Sequence, residues 1–293
     1  MSQPSLKIDS APQELKIGLV LGGGGARGIA HILVLEVFDE LGIRPSEILG
    51  TSIGALFGAA YASGVPATEI RELAIRTLGK RTEILKKLFV QKPETLLELW
   101  NISPFSSSLM NSERLLDMVL PNSIRESFSE LLIPAKFVAT DYFAQEPVLL
   151  QSGDLRRAVA ASIALPAIFA PVEIDGKLLI DGGMTNPLPF DVVSDEINLT
   201  VAIDVTGGPV KKENGAKPTP TDVLFAASQI QQNTIVKEKL KVKRPEILLR
   251  PPVDHIQVLA FYKIEEILKS EESIKDELKR ALDLNLETNK QNL

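Results

Sequence analysis

The first part of the chain alternates short apolar runs with longer, helix-length stretches. Lys16–Leu21 is an apolar run that ends in glycines, which is typical of a buried parallel strand. The apolar-rich stretch Ile29–Leu41 predicts a helix, Glu47–Leu49 predicts a second short strand, and Ile53–Ser63 predicts a helix of small residues. Two strand–loop–helix units in succession predict a parallel sheet covered by helices.

The rest of the chain continues this alternation less regularly. Further strands are predicted at Ile133–Asp141, Glu146–Gln151, Val172–Ile180 (a hairpin turning on Asp175-Gly176), Leu199–Val205 and Glu246–Leu249. Further helices are predicted at Pro66–Leu78, Ser112–Leu120, Ile124–Leu132, Asp154–Leu165, Thr221–Lys241 and Ile264–Leu284. The predicted fold class is therefore α/β, with a mainly parallel central sheet.

Two segments depart from the pattern. Residues 1–14 combine prolines, serines and charges, and predict a disordered tail. Residues 79–130 mix apolar clusters with prolines and serines, and predict a cap of short helices and loops. Whether that cap moves as a lid stays open.

The composition of the chain excludes several classes of site and of function. The chain has 293 residues, 44% of them hydrophobic, which suits one large domain or two small ones. It has no cysteine, which excludes disulfides, a thiol nucleophile and cysteine-ligated metal. A net charge of −6 argues against nucleic acid. With neither a secretory signal nor a run of about 18 apolar residues, the expected location is cytoplasmic, with a peripheral place at the inner membrane face as the alternative.

The turn Gly50-Thr51-Ser52-Ile53-Gly54 is the strongest single motif. A Gly-x-Ser-x-Gly sequence between a strand and a helix places its serine on a sharp, strained bend, where flanking glycines avoid a clash. The hydroxyl then projects above the sheet, near the N-terminus of the following helix. This is the geometry of a nucleophile, although the motif alone is only moderately specific.

Two further features fit the same chemistry. The run Gly22–Gly25 opens a helix and exposes several backbone N–H groups that can bind an oxyanion. Asp181 stands on a tight Asp-Gly-Gly turn at a predicted strand end, where its carboxylate could take the proton of Ser52 directly. The chain has two histidines, His31 and His255, as alternative bases.

Four motifs in order carry a family resemblance: Gly23–Gly28, Gly50–Gly54, Ala161–Pro166 and Asp181–Gly183. Together they resemble the patatin-like phospholipase family, and in particular its bacterial members related to the catalytic domain of neuropathy target esterase. The resemblance implies a three-layer α/β/α fold and a serine–aspartate dyad that hydrolyses acyl esters of lipids. It covers about residues 16–206 and continues weakly into the C-terminal helix. We therefore expect a catalytic domain at residues 15–206 and a C-terminal helical extension, residues 207–293, packed on the same domain.

Carried over by position, the resemblance makes Ser52 the nucleophile and Asp181 the general base. Gly23, Gly24 and Gly25 would line the oxyanion hole, with Arg27 shaping that loop. The expected partner is a lipid or ester substrate, with no metal or cofactor. The first loop position is Gly22 where plant and animal members often have aspartate, and no departure removes a catalytic group.

Other polar residues have simpler interpretations. Arg27 is expected to be a structural ion-pair partner, His31 a packing or hydrogen-bonding residue, and Asp141 a structural acid at a strand end. The cationic run at Lys237, Lys239, Lys241, Lys243 and Arg244 is interpreted as a solvated face. The apolar cluster Leu88–Phe105 is interpreted as core packing, with contact to acyl chains or a membrane surface as the alternative.

Three rival functions stay open on the residues alone. Gly23, Gly25 and Gly28 also satisfy the Gly-x-Gly-x-x-Gly pattern of dinucleotide-binding proteins, but the acidic residue expected after the second strand is missing. Ser52, Asp181 and His255 fall in the chain order of an α/β-hydrolase triad, although a single strand precedes the serine turn. A catalytically silent lipid-binding protein is the third. Head group, acyl length and oligomeric state stay open as well.

Overall fold

One mixed sheet organises the molecule. The computed structural model describes residues 15–79, 112–120, 123–209 and 217–291. Within them the strands are β1 (Ile17–Leu21), β2 (Glu47–Thr51), β3 (Ala135–Asp141), β4 (Glu146–Leu150), β5 (Val172–Ile174), β6 (Lys177–Asp181), β7 (Leu199–Ile203) and β8 (Ile247–Leu249). Their order is β5-β6-β3-β2-β1-β7-β8, and β4 pairs with β3 outside this path.

The centre of the sheet is parallel and its margin is antiparallel. Parallel pairing joins β3, β2, β1, β7 and β8, whereas β4 and β6 run antiparallel to β3, and β5 runs antiparallel to β6. The α/β class with a mainly parallel central sheet is therefore confirmed. The strand β8 comes from the C-terminal part of the chain and extends the same sheet beside β7.

Helices cover this sheet on both faces. They are α1 (His31–Leu41), α2 (Ile53–Ala62), α3 (Ala67–Ala74, continued by a π-helix at Ile75–Gly79), α4 (Ser112–Val119), α5 (Leu155–Ser162), α6 (Pro220–Val242), α7 (Ile264–Ser270) and α8 (Ser273–Gln291). A 3₁₀ turn at Gly25–Ala30 precedes α1.

Alternate residues of the central strands enter two separate cores. Leu19 and Leu21 of β1 belong to the larger hydrophobic cluster, which also takes residues from α1, α2, α5, α7 and α8. Val20, between them, belongs to a second cluster with Val236 and Leu240 of α6. Because successive strand side chains point to opposite faces, the two clusters lie on opposite sides of the sheet. Three layers result, with α6 on one side.

Two predicted helices were wrong in extent. Ile124–Leu132 forms no α-helix and contains a 3₁₀ turn at Phe128–Glu130. Its backbone is bonded to distant partners instead, since Leu132 N and Ile133 N both donate to Ala62 O. The C-terminal helix is broken after Ser270, whose hydroxyl donates to Ile267 O and so competes with helical bonding.

One member of the cationic run is not solvated. Lys239 Nζ donates to Leu188 O at 3.1 Å and to the side chains of Asn186 and Asp191, and it lies 5.1 Å from the centre of the Phe190 ring. Burial lowers the pKa of Lys239, and the Asp191 carboxylate opposes that shift. The predicted solvated face was wrong at this position, because a lysine whose ammonium is fully bonded can be buried. The predicted tail and most of the predicted cap, including Leu88–Phe105, lie outside the described residues.

Candidate active site

The chain turns sharply between β2 and α2. Strand β2 ends at Thr51, and Ser52 follows with φ 54° and ψ −121° as the N-cap residue of α2. A positive φ is uncommon for serine and marks a strained turn. Gly54 makes the bend sterically feasible, because a Cβ atom there would lie 2.0 Å from Leu21 O. The predicted nucleophile turn thus has the expected shape.

A single strand brings Ser52 and Asp181 together. Strand β4 occupies one edge of β3, so β2 and β6 share the other edge, one after the other. Thr51 pairs with Val138 in the parallel ladder, and Asp181 pairs with Ala139 in the antiparallel ladder. Consecutive residues of β3 therefore hold the C-terminal ends of β2 and β6 end to end.

The two side chains form a short hydrogen bond. Ser52 Oγ donates to Asp181 Oδ2 at 2.6 Å, and Gly183 N donates to Asp181 Oδ1 at 2.7 Å. The two carboxylate oxygens are thus held by different partners. This fixes the plane of the carboxylate relative to the hydroxyl.

Ser162 holds the serine turn in place through hydrogen bonds. Its hydroxyl accepts a hydrogen bond from Ser52 N at 2.9 Å and donates to Val138 O at 2.6 Å, so it joins the turn to β3. Thr140 supports the other partner, because its hydroxyl donates to Asp181 O at 3.0 Å. Neither residue was predicted to have a role. Ser162 lies within the Ala161–Pro166 motif, which was the available signal for it.

Burial sets the proton affinity of Asp181. Removal from water raises the pKa of this carboxyl to about 6, while the hydrogen bonds from Ser52 and Gly183 act in the opposite direction. At pH 7 roughly nine in ten such groups are ionised. The carboxylate is therefore a proton acceptor at neutral pH and a stronger base than an exposed aspartate.

The glycine loop lies against the same cavity, but its three glycines are not equivalent. Gly23 N donates to Pro187 O at 2.8 Å and is already occupied. Within the described residues, the N–H groups of Gly24 and Gly25 have no hydrogen-bond partner. Gly25 has φ 60°, and a Cβ atom there would lie 2.2 Å from Val258 O, so no other residue fits. All three line the cavity beside Ser52.

Arg27 holds the loop from behind instead of lining the cavity. Its fully buried guanidinium donates to Ile256 O and Thr206 O at 2.8 Å each and to Gly208 O at 2.7 Å. Burial lowers the pKa of Arg27 to about 10, and the nearby Asp254 carboxylate opposes the shift. The structural role is as expected, but the partners are three backbone carbonyls where an ion pair was predicted.

The two histidines lie apart from the Ser52–Asp181 pair. His31 is fully buried, and its Nε2 donates to Gly22 O at 2.8 Å. Burial lowers the pKa of His31 to about 4, so the ring is neutral at pH 7. His255 is exposed, and its Nδ1 bonds Pro252 O at 3.0 Å. Neither ring contacts the pair or lines the cavity in the described part of the chain.

Asp141 has the structural role that its position predicted. One carboxylate oxygen accepts from the backbone N–H groups of Phe143 and Ala144 at 3.0 Å each, which closes the turn between β3 and β4. Asp154 Oδ1 accepts from Arg157 N and caps α5, whose predicted range began at this residue.

The first half of α6, Pro220–Gln232, forms the roof of the cavity. The space beside Ser52 and Asp181 has a volume of about 40 Å³, and Phe225, Ser228, Gln229 and Gln232 line it from this helix. A single water needs roughly 10–15 Å³, so a few waters fit. These four residues were not predicted as part of the site, because no motif marks them and they lie far along the chain from Ser52.

Fold and site together define an α/β protein with a serine–carboxylate pair at the carboxyl edge of its sheet. A sequence model of the patatin-like phospholipase family matches residues 19–194, which is more than half of the chain. The chain belongs to the patatin-like phospholipase family.

Individual relatives agree with this assignment. An NTE family protein of Mycobacterium tuberculosis is 34% identical over 209 residues, covering 70% of this chain and 53% of that protein. Neuropathy target esterase sws of Drosophila melanogaster is 33% identical over 276 residues, covering 86% of this chain and 18% of that protein. Human patatin-like phospholipase domain-containing protein 6 is 30% identical, with 86% and 19% covered. The chain therefore spans about half the length of the first relative and about a fifth of the other two.

Solved structures give more distant similarities. VipD from Legionella pneumophila is 13% identical with a TM-score of 0.41, covering 89% of this chain and 68% of that one. Human GIVD cytosolic phospholipase A2 is 14% identical with a TM-score of 0.40, covering 74% and 46%. None of the helices in the described ranges has the length and apolar character needed to cross a bilayer.

Proposed function

We propose that the protein is a serine lipid acyl hydrolase that works through an acyl-enzyme, with Ser52 as nucleophile and Asp181 as general base. The observation that carries this proposal is the 2.6 Å hydrogen bond from Ser52 Oγ to Asp181 Oδ2 on a strained strand-to-helix turn. A nucleophilic serine needs an adjacent base within this distance, and no other base contacts Ser52 in the described residues.

In the acylation step, Ser52 Oγ attacks the carbonyl carbon of the ester and gives its proton to Asp181 Oδ2. The tetrahedral intermediate then breaks its bond to the alcohol oxygen, and Asp181 returns the proton to that leaving group. The raised pKa of Asp181, about 6, suits both directions of transfer near neutral pH. The acyl group stays on Ser52.

Deacylation reverses the same proton path. A water molecule gives a proton to Asp181 as its oxygen attacks the acyl-serine carbonyl. The second tetrahedral intermediate releases Ser52 Oγ, which takes the proton back from Asp181, and the fatty acid leaves. Asp181 thus serves as base and then as acid in each half of the cycle.

The oxyanion that forms in both steps needs donors beside Ser52. The N–H groups of Gly24 and Gly25 are suited to this task, because they line the cavity and are free of partners in the described residues. Losing one donor of an oxyanion hole typically costs about 3 kcal/mol of transition-state stabilisation. Gly23 and Arg27 act indirectly, because their donors are used to hold the loop.

Lipid acyl esters are the proposed substrate class. Family membership and the similarity to a neuropathy target esterase support an ester substrate with a fatty acyl group. The proposed attack needs only an ester carbonyl carbon within reach of Ser52 Oγ. Small activated esters should therefore also react.

The test is the hydrolysis of p-nitrophenyl butyrate by the purified wild type and by Ser52→Ala, Asp181→Asn and His255→Ala. Removing a nucleophile or its base typically lowers turnover by about 10⁴-fold or more. We expect losses of that order in the first two variants and wild-type turnover in His255→Ala. Undiminished turnover in Ser52→Ala would end the proposal, and a loss in His255→Ala as large as in Asp181→Asn would favour the serine–aspartate–histidine triad.

A further inference from the structure

The roof, which is the first half of α6, places polar residues inward and apolar residues outward. Two of its glutamines are buried, since Gln229 and Gln232 expose only 7% and 9% of their surface. Three of its large apolar residues face solvent, since Val223, Leu224 and Ile230 expose 53%, 46% and 56%. A surface helix normally places apolar side chains inward and amides outward. The reversal therefore calls for a partner.

Residue spacing assigns the two groups to opposite faces. Val223, Ala227 and Ile230 follow one another at intervals of four and three residues, so they form one exposed stripe. The cavity-lining residues Phe225, Ser228, Gln229 and Gln232 follow the same periodicity two positions later, which places them about 200° around the helix. The apolar stripe is thus the outer surface of the cavity roof.

The second half of the same helix is oriented in the usual way. Val236 and Leu240 are buried in the core, and the bonds of Lys239 to the loop around Asp191 fix this half in place. The reversal is therefore confined to the half that covers Ser52 and Asp181. The remaining apolar residue of α6 that is strongly exposed, Val242, lies at the far end of the helix.

The roof stripe is almost free of charge. Asp222 is the one ionisable residue in Pro220–Gln232, and its carboxylate is used in the capping box with Thr219. Tyr142 and Phe143 expose further apolar surface in the β3–β4 turn, which lies at the carboxyl edge of the sheet like Ser52. An uncharged apolar surface on a protein of net charge −6 fits a zwitterionic lipid surface better than an anionic one.

The cavity beneath the roof is too small for a lipid. Its volume of about 40 Å³ compares with roughly 300–1,000 Å³ for ordinary ligand pockets. An acyl chain that reaches Ser52 therefore requires a wall of the cavity to shift, and the roof is one of these walls. A shift outward would hydrate the buried glutamines and press the apolar stripe against whatever lies outside.

We propose that the outer stripe of the roof, Val223, Ala227 and Ile230 with Leu224, is the surface by which the protein binds a zwitterionic lipid aggregate, and that this binding displaces the roof from Ser52. The proposal rests on the proposed function for its lipid substrate. It couples recognition of the lipid aggregate to substrate access to Ser52, because the first half of α6 carries both the apolar stripe and the residues that line the cavity.

The binding test uses Ser52→Ala protein and phosphatidylcholine vesicles, so that hydrolysis does not alter the lipid. We expect the added pair Val223→Ser and Ile230→Ser to lower the vesicle partition coefficient by about tenfold or more, because two half-exposed aliphatic side chains lose their burial. The matched control Val242→Ser, on the same helix, should bind like its parent. Thermal melts of all three proteins establish that each is folded.

A second measurement uses the absence of cysteine in the chain. An environment-sensitive dye on Ala227→Cys should shift to the blue when phosphatidylcholine vesicles are added, and the same dye on Val242→Cys should not. With active protein, vesicles should raise turnover of p-nitrophenyl butyrate several-fold, and the Val223→Ser/Ile230→Ser pair should abolish that rise.

Two outcomes overturn the proposal. One is equal vesicle binding by the roof variant and its parent, or no binding by either. The other is a lipid-free dimer in sedimentation that Val223→Ser/Ile230→Ser dissolves, which would assign the stripe to a second copy of the chain. Failure of the proposed function is separate, since it would appear as absent ester turnover in the wild type whether or not vesicles bind.

Discussion

The floor and the roof of the proposed catalytic cavity are built by different means. The floor, comprising Ser52, Asp181 and the glycine loop, is fixed by strand pairing and by a chain of short backbone and hydroxyl bonds. The roof is a helix half that contributes amide side chains to the cavity and apolar ones to solvent. Rigid placement suits the proposed reacting groups, and we predict that the roof, which is not part of the sheet, is less firmly held than the floor.

The largest expected effect is on the floor, in Gly54→Ala. A Cβ atom at Gly54 would lie 2.0 Å from Leu21 O, a backbone atom that cannot move without disturbing β1. We expect a loss of more than about 3 kcal/mol in the free energy of unfolding, measured by urea denaturation. The control is Gly42→Ala, where φ is 64° but no atom lies within 4 Å. Gly42→Ala should lose only about 1 kcal/mol of unfolding free energy. Equal losses in the two variants would show that the loss in Gly54→Ala does not come from the clash with Leu21 O.

Asp181→Asn should stabilise the protein above pH 6 while it removes activity. The pKa of Asp181 is raised from 3.8 to about 6 by burial, so the carboxyl favours the folded state below pH 3.8 and that contribution is lost as pH rises through 6. Two units correspond to about 3 kcal/mol. The amide does not ionise and avoids this loss.

The measurement is urea denaturation of both proteins from pH 3.5 to pH 8. The wild type should lose on the order of 3 kcal/mol relative to the variant across this range, and its esterase activity should fall about tenfold per unit below pH 6. A difference in unfolding free energy that stays constant with pH would show that Asp181 does not titrate as described.

His31→Leu should weaken the floor by a smaller amount. The neutral ring donates to Gly22 O, and removal of a buried donor leaves a carbonyl without its partner, at a cost of about 1–3 kcal/mol. Turnover should fall with KM little changed, because the glycine loop loses its orientation. His31→Gln keeps an amide donor and should recover part of both losses; equal turnover in the two variants would argue against a role for this bond.

The smallest effect is expected at the roof, in Gln231→Ala. Gln231 Nε2 donates to Met184 O at 2.9 Å, and this side chain is exposed. Surface substitutions usually change stability by about 0.5 kcal/mol or less. Urea denaturation should show a change within that limit. A loss as large as that of His31→Leu would mean that roof and floor are equally fixed, and the comparison would fail.

Much of the floor could be predicted from the sequence. The serine turn, the glycine loop and Asp181 are local motifs whose residue types are dictated by backbone geometry, and the structure brings them together. Gly23 shows the limit of that approach. A run of glycines indicates exposed N–H groups, but the acceptor at Pro187 O that occupies one of them is distant in sequence.

The orientation of the roof could not be predicted from the sequence, for a physical reason. Thr221–Lys241 was predicted as a helix, and its observed bounds are Pro220–Val242. Periodicity would place Val223 and Ile230 inward, since apolar stripes usually mark the core. Their outward orientation depends on tertiary packing of the second half through Val236 and Leu240. The same dependence made Lys239 partly buried within a run of solvated cations.

The neighbouring residues Val138 and Ala139 of β3 fix the distance between the two proposed reacting groups. They set the spacing between Ser52 and Asp181, which are separated by 129 positions in the chain. A nascent chain that ends before β6 already carries Ser52, the proposed nucleophile, and the glycine loop, but it lacks Asp181, the proposed proton acceptor. The proposed pair would therefore form late, when β6 docks, and a shift of β6 by one residue along β3 would move Asp181 away from Ser52 although both residues are still present.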